Sequence, residues 1–264
     1  MKKVFLALCL ISLAATSGFA QARGALVIVG GGGTTHQIVA RALELAGGRN
    51  AVVVVLPQSS AVADAGDSSV KMWLDAGAKE AKKVAFTDPD AKAWLEHATL
   101  IWMPGGDQNR FMKAIDGTGL DEVIRSAYKK GAVVGGTSAG AAVLSGKMIT
   151  GEAELTSLAS GKTILGKGLG LWPDGIVDQH FLKRQRNNRL LSAVLDNPGL
   201  VGVGIDEATA VILRGSKLEA VGRSAVVIFD ARDAKVAKVA AGEPVAATGV
   251  KLTVLREGMT YDLK

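Results

Sequence analysis

The sequence predicts an α/β protein on an open, mostly parallel sheet wound on both faces, a doubly wound three-layer sandwich with antiparallel C-terminal strands. Three observations predict it. Apolar runs of strand length alternate with stretches of helical periodicity through the first half of the chain, the pattern of repeated β-α units. Near residue 200 the alternation stops, and short apolar runs follow one another with only Gly, Asp or Ser turns between them, which reads as antiparallel pairing. Polar or glycine-rich segments close several of the runs, at the carboxyl ends of strands where such sheets hold their ligands.

The first 22 residues stand apart. Lys2 and Lys3 open a basic segment, VFLALCLISLAA is a short apolar core, and SGFAQA offers small residues for cleavage after Ala20 or Ala22. This is the pattern of a secretory signal peptide, too short for an ordinary transmembrane helix. Residues 1–22 are therefore expected to be removed and the product to be secreted or periplasmic, with no membrane contact afterwards. Cys9 is the one cysteine and leaves with the leader, so no disulfide or thiolate chemistry is expected in the rest. Loss of Lys2 and Lys3 reduces the formal charge of +6 by two. Residues 23–264 are expected to form a single domain, since no Pro- or Ser-rich linker, repeat or low-complexity tract interrupts them.

In chain order, Ala25–Val29 is the first expected strand, and Gly30-Gly31-Gly32-Gly33-Thr34-Thr35 is a tight turn feeding a helix over 36–46. A dinucleotide reading of these glycines fails on spacing, because Thr35 stands where the third glycine would fall, and no phosphate-loop Gly-Lys-Ser/Thr follows. Ala51–Leu56, Lys83–Phe86, Thr99–Met103 and Ala132–Val134 are the further buried strands, with helices over 68–77, 90–97 and 120–130. Pro104-Gly105-Gly106-Asp107-Gln108 closes one of these strands. Gly136-Thr137-Ser138-Ala139-Gly140 closes another, with a serine held among small residues on a strand-to-helix turn. That is an ordinary chain reversal or a nucleophile elbow. The antiparallel strands are Val201–Ile205, Ala210–Arg214, Leu218–Val221, Ala225–Phe229 and Lys251–Leu255.

A serine hydroxyl needs a base to take its proton, and histidine suits that task near neutral pH. Only three histidines are present. His36 opens a helix, where a cap or surface role suffices, and His97 closes one, where a cation suits the helix C-terminus. His180 instead ends the strand-like run Ile176-Val177-Asp178-Gln179, the position at which this architecture places functional groups. The acid is less defined: Asp206 and Glu207 both follow the glycine-rich run Val201–Ile205, and either also suits a turn cap. No His pair at short spacing supports zinc, and no cofactor is expected. The basic stretch Lys183-Arg184-Gln185-Arg186-Asn187-Asn188-Arg189 has no interleaved aromatic residues and lies in no nucleic-acid motif, so nucleic acid is not an expected partner.

Taken together, Gly105-Gly106-Asp107-Gln108, Gly135–Ala141, Val177-Asp178-Gln179-His180-Phe181 with Arg184, Arg186 and Arg189, and Gly204-Ile205-Asp206-Glu207-Ala208-Thr209-Ala210 resemble the cyanophycinases in order and approximate spacing. The likeness covers essentially the whole chain after the leader. These are serine peptidases related to the aspartyl dipeptidases, on a flavodoxin-like sandwich similar to class I glutamine amidotransferases. They cleave cyanophycin, a poly-aspartate bearing arginine on its side-chain carboxyls, into β-Asp-Arg dipeptides. The resemblance implies Ser138 as nucleophile, His180 as general base, Glu207 as the acid that orients it, and the N–H groups of Gly106 and Ala139 as oxyanion hole. It implies Gln108, Asp178, Gln179, Arg184, Arg186 and Arg189 as substrate-binding residues, no metal, and a homodimer. If Arg186 and Arg189 share a helix face, Arg184 precedes that helix. Family members that mobilise a cell's own granules are cytoplasmic, so the leader marks a departure toward the secreted type. Lys147–Leu165 matches no assigned motif and is expected to shape the pocket. The competing expectations are a related exopeptidase acting on small Asp-containing peptides and a non-catalytic binding protein on the same scaffold.

Overall fold

The computed structural model describes residues 24–264; the signal peptide expected at 1–22 lies outside them. An eight-stranded sheet runs in the order Thr260–Asp262, Lys217–Gly222, Thr209–Arg214, Leu26–Val29, Val133–Thr137, Leu100–Met103, Val52–Val55, Glu80–Lys83. The last five of these pair in parallel, and the first three join them antiparallel. Leu26–Val29 shows why the parallel half reads as unbroken apolar sequence. Alternate side chains leave opposite faces of a strand, and both faces here are covered: Leu26 and Ile28 enter one core, Val27 and Val29 the other.

Helices His36–Leu45 and Asp67–Asp75 cover one face, where Trp73 meets Trp102 edge-on at 5.2 Å. Helices Ala91–His97, Gln108–Ile115 and Leu120–Lys129 cover part of the other. The observed helices fall close to the expected ones. Gln108–Ile115 was not expected, although Asp107 caps it by accepting the N–H groups of Asn109 and Arg110 at 2.7 and 3.3 Å. The strand expected at Lys83–Phe86 is displaced to the polar edge Glu80–Lys83, because pairing with Val52–Val55 fixes its register.

The C-terminal strands depart further from expectation. They do not form one antiparallel set. Thr209–Arg214 and Lys217–Gly222 extend the large sheet, whereas Lys251–Leu255, Val226–Asp230, Val201–Ile205 and Gly175–Gln179 form a second, four-stranded sheet in that order. Within it Val201–Ile205 runs parallel to Gly175–Gln179 and antiparallel to Val226–Asp230. The second sheet takes the place of helices over part of the large sheet. Val201, Val203 and Ile205 point into the shared core, while helix Asn187–Asp196 packs on the far face with Leu190 and Val194. Gly202 and Gly204 make that second contact possible. A side chain at 202 would collide with Val194 and one at 204 with the ring of Phe181.

Candidate active site

The two sheets bring their carboxyl strand ends to one place. Leu26–Val29, Leu100–Met103 and Val133–Thr137 deliver Gly30–Gly33, Pro104–Gly106 and Ser138 from the large sheet. The paired parallel strands Gly175–Gln179 and Val201–Ile205, in register at Gln179 and Ile205, deliver His180 and Asp206-Glu207 from the second. The serine and its two partners therefore come from different sheets.

Ser138 sits on a tight turn with φ 54 and ψ −115, a conformation uncommon for a residue with a side chain. Its glycine neighbours have steric reasons. A Cβ at Gly136 would lie 2.6 Å from the Met103 carbonyl oxygen, and one at Gly140 2.6 Å from the Met103 carbonyl carbon. The turn can be this tight only where neighbouring strands leave no room for side chains. The Ser138 hydroxyl donates to His180 Nε2 at 3.0 Å, and His180 Nδ1–H donates to Glu207 Oε1 at 2.7 Å. Of the four non-glycine residues with positive φ among the described residues, three are Ser138, His180 and Ala208, the residue after Glu207. Strained backbone thus accumulates at this constellation.

Ala139 opens a short helix, so its N–H has no intrahelical partner. The facing loop 104–107 stands against the serine: a Cβ at Gly105 would lie 3.9 Å from Ser138 Oγ. Gly106 is pressed onto Ser59, where a Cβ would be 2.6 Å from the carbonyl carbon. Ser59, 2% exposed, holds the loop: its hydroxyl lies within bonding distance of the Pro104 and Gly105 carbonyls, and its carbonyl accepts the Asp107 N–H at 2.8 Å. Sequence reasoning missed Ser59. It lies just beyond the expected strand Ala51–Leu56, so the strand-end rule would have found it.

Beside His180 the basic stretch is organised around one carboxylate. Asp178 is completely buried and receives the Arg189 fork, with Nε at 2.7 Å from Oδ2 and Nη2 closing on Oδ1. Arg189 is itself only 2% exposed. Arg186 lies 3.6 Å from the same carboxylate and donates through Nη1 to the carbonyl and the side-chain oxygen of Gln179, each at 2.6 Å. Burial, with Arg189 and then Arg184 adding repulsion against the attraction of Asp178, lowers the Arg186 guanidinium to about 10. Arg184 is exposed on the turn before the helix. That turn also contains Arg186, since the helix begins at Asn187. The expectation of Arg186 and Arg189 on one helix face is thus corrected: they converge through Asp178.

Gln108 is largely buried, and its amide donates to the Ile149 carbonyl at 2.9 Å. The unassigned stretch Lys147–Leu165 is a hairpin, Lys147–Ala153 with Thr163–Lys167. Gln108 and Asn109 hold it on one side, through Ile149 and Thr150. On the other side Thr163 donates to the Arg189 carbonyl and Asn188 to that of Leu155.

Residues 26–221 match the sequence profile of peptidase family S51. The chain belongs to that family. This S51 chain is a serine peptidase by membership, and its relatives span most of its length. It is 36% identical over 257 residues to the cyanophycinase of Geminocystis herdmanii, covering 92% of this chain and 94% of the relative. It is 38% identical over 245 residues to the cyanophycinase of Synechococcus elongatus, covering 87% and 75%. The solved structure of a peptidase from an acI-B1 Actinobacterium superposes with a TM-score of 0.67 at 20% identity, covering 92% of this chain and 98% of the other. That likeness carries the fold.

Proposed function

We propose that this peptidase hydrolyses cyanophycin into β-Asp-Arg dipeptides through Ser138, His180 and Glu207, as an exported enzyme acting without a cofactor. The observation that carries the mechanism is the unbroken chain from Ser138 Oγ to His180 Nε2 and from His180 Nδ1 to Glu207. Ser138 Oγ attacks the scissile carbonyl carbon while His180 Nε2 takes the hydroxyl proton. Glu207 holds the imidazole in the tautomer that can accept it and stabilises the resulting cation. The N–H groups of Gly106 and Ala139 receive the oxyanion, each contributing about 3 kcal/mol by analogy with measured donors. Collapse breaks the C–N bond, and the proton on His180 passes to the leaving amine. Water then attacks the acyl ester with His180 again as base, and the carboxylic acid leaves.

The substrate reading is supported by the relatives and by charge. Arg189 and Arg186 both approach the single carboxylate of Asp178, and Arg184 is near enough to Arg186 to repel it, so the stretch that follows His180 carries surplus positive charge. A β-linked Asp-Arg unit presents carboxylates to which guanidinium forks bind well. Arg189, occupied by Asp178, acts by holding that carboxylate. Arg186 and the exposed Arg184 supply the charge that faces substrate, and Gln108 and Gln179 fix the walls. Export rests on the leader pattern in the sequence, and assembly as a homodimer on family likeness.

The test is incubation of residues 23–264 with insoluble cyanophycin and mass analysis of the soluble products. Release of the β-Asp-Arg dipeptide, abolished in Ser138→Ala, is expected. An intact polymer alongside cleavage of small Asp-containing peptides would replace this reading with the exopeptidase one.

A further inference from the structure

Resting on that catalytic reading, we infer that Gly31 and Gly32 are positioning residues for His180 and Glu207. The turn that contains them clips the second sheet to the large one at the active site. The sequence offered only a tight turn feeding a helix. The backbone shows a two-way clamp: the Gly30 carbonyl accepts the His180 N–H at 2.6 Å, and the Gly31 carbonyl accepts the Ala208 N–H at 2.8 Å. Gly30 N–H donates to the Thr209 carbonyl at 2.9 Å, and the Ser138 N–H returns to that of Val29 at 3.0 Å. One short segment closing Leu26–Val29 thus contacts the backbone around all three members of the constellation.

The side chains fit into the space the two glycines leave. A Cβ at Gly31 would overlap the His180 imidazole, with Nδ1 the most distant of its three nearest ring atoms at 2.9 Å. A Cβ at Gly32 would come within 2.7 Å of Glu207 Cγ and 2.8 Å of Cδ. Both glycines have positive φ, 98 and 66, and so does Gly33 at 100. A Cβ at Gly33, however, would meet nothing within 4 Å. Backbone strain is therefore common to positions 31 and 33, whereas contact with the imidazole belongs to 31. That pair separates a positioning role from a merely conformational one.

The experiment compares Gly31→Ala with Gly33→Ala, each alone and combined with His180→Ala, in residues 23–264. Gly31→Ala is expected to lower kcat on cyanophycin about a hundred-fold, the scale of an ångström-sized misplacement, with KM little changed. Fluorophosphonate labelling of Ser138 should slow in parallel. Gly33→Ala should stay within a few-fold of wild type. In thermal unfolding, Gly31→Ala should lower Tm more than Gly33→Ala does. Once the imidazole is removed by His180→Ala, the two substitutions should cost the same. This stability arm needs no activity, so a wild-type protein inert on cyanophycin would sink the substrate reading and leave the clip testable. If Gly31→Ala and Gly33→Ala are equal in both rate and Tm with His180 present, the clip is overturned. It is equally overturned if the excess cost at 31 persists without His180.

Discussion

The second sheet carries a buried aspartate at each of two strand ends, and the two are treated differently. Asp230, closing Val226–Asp230, takes Arg232 through Nε at 3.0 Å and Nη2 at 2.8 Å, and the Tyr261 hydroxyl at 2.8 Å. One cation meets one anion there, and each holds the other in its charged form. The Arg232 hydrogen bond, against the cost of burial, places the Asp230 carboxyl far below the usual carboxylate range, and Asp230 raises the Arg232 guanidinium. Asp178, near the end of Gly175–Gln179, is wholly buried yet faces both Arg189 and Arg186, and Arg184 adds its charge beside Arg186. Arg186 is lowered rather than raised. Burial first, and then the neighbouring Arg189, makes the cation at Arg186 costly; under the proposed function a substrate carboxylate offsets that cost. The strained residues Ser138, His180, Gln185 and Ala208 also lie at that end or beside it.

The sharpest way to separate the ends is through chemistry. Ser138→Ala and His180→Ala should each reduce turnover by about 10⁴-fold, in the range seen for other serine triads. Their Tm should stay near wild type, and Glu207→Gln should lose less. Near-normal rates for either alanine variant would remove the catalytic claim. Next in size is Arg189→Met, which leaves Asp178 buried without its principal partner. A loss of about 3–5 kcal/mol of stability is expected from denaturant unfolding, with activity falling as a consequence. A stability equal to wild type would mean that Asp178 does not depend on Arg189.

Arg186→Met should do the reverse. Its folded value of about 10 lies below the ordinary arginine range, so the charged form is disfavoured on folding; the penalty is full below about pH 10 and fades as pH rises from there toward the ordinary range. Removing the cation should therefore leave Tm at pH 7 unchanged or higher. The kcat/KM on cyanophycin should drop about ten- to a hundred-fold, matching one or two charge-assisted hydrogen bonds. Retained kcat/KM would reduce the cluster to a structural feature. The smallest effect belongs to the far end. Asp230→Asn should cost about 1.5–3 kcal/mol without altering kcat. Because the folded carboxyl is depressed, its stabilising contribution is complete above about pH 4 and disappears as pH falls toward the folded value. The wild-type and Asp230→Asn unfolding curves should converge in acid.

Legibility in the sequence followed how local each cause is. The strand-to-turn step at Ser138 was readable, because Gly136 and Gly140 mark it within two residues on either side. His180 was reachable by elimination among three histidines. Asp206 and Glu207 could not be told apart, since they are adjacent in the chain and tertiary contacts decide. Glu207 lies over Gly32 toward His180, while Asp206 turns away to the Lys183 N–H and the Ser224 hydroxyl. The division into two sheets was hidden for a similar reason. Alternation in Val201–Ile205 reports burial on two faces, but not which strand lies alongside. The family resemblance implied Arg189 as a substrate-binding residue. Its burial against Asp178, eleven positions earlier, is a pairing that charge alone does not announce.

Because the serine rests on one sheet and its imidazole on the other, the proposed mechanism makes the enzyme's rate a gauge of how the two sheets are seated. A shift that leaves every strand intact, and every circular-dichroism band with it, is enough to part a 3.0 Å hydrogen bond. On warming, or in mild denaturant, activity should therefore disappear before secondary structure does. A substitution at Val203 or Ile205, both buried in the core between the sheets, is expected to lower activity wherever the new packing lifts the second sheet from its seat, even if the fold survives.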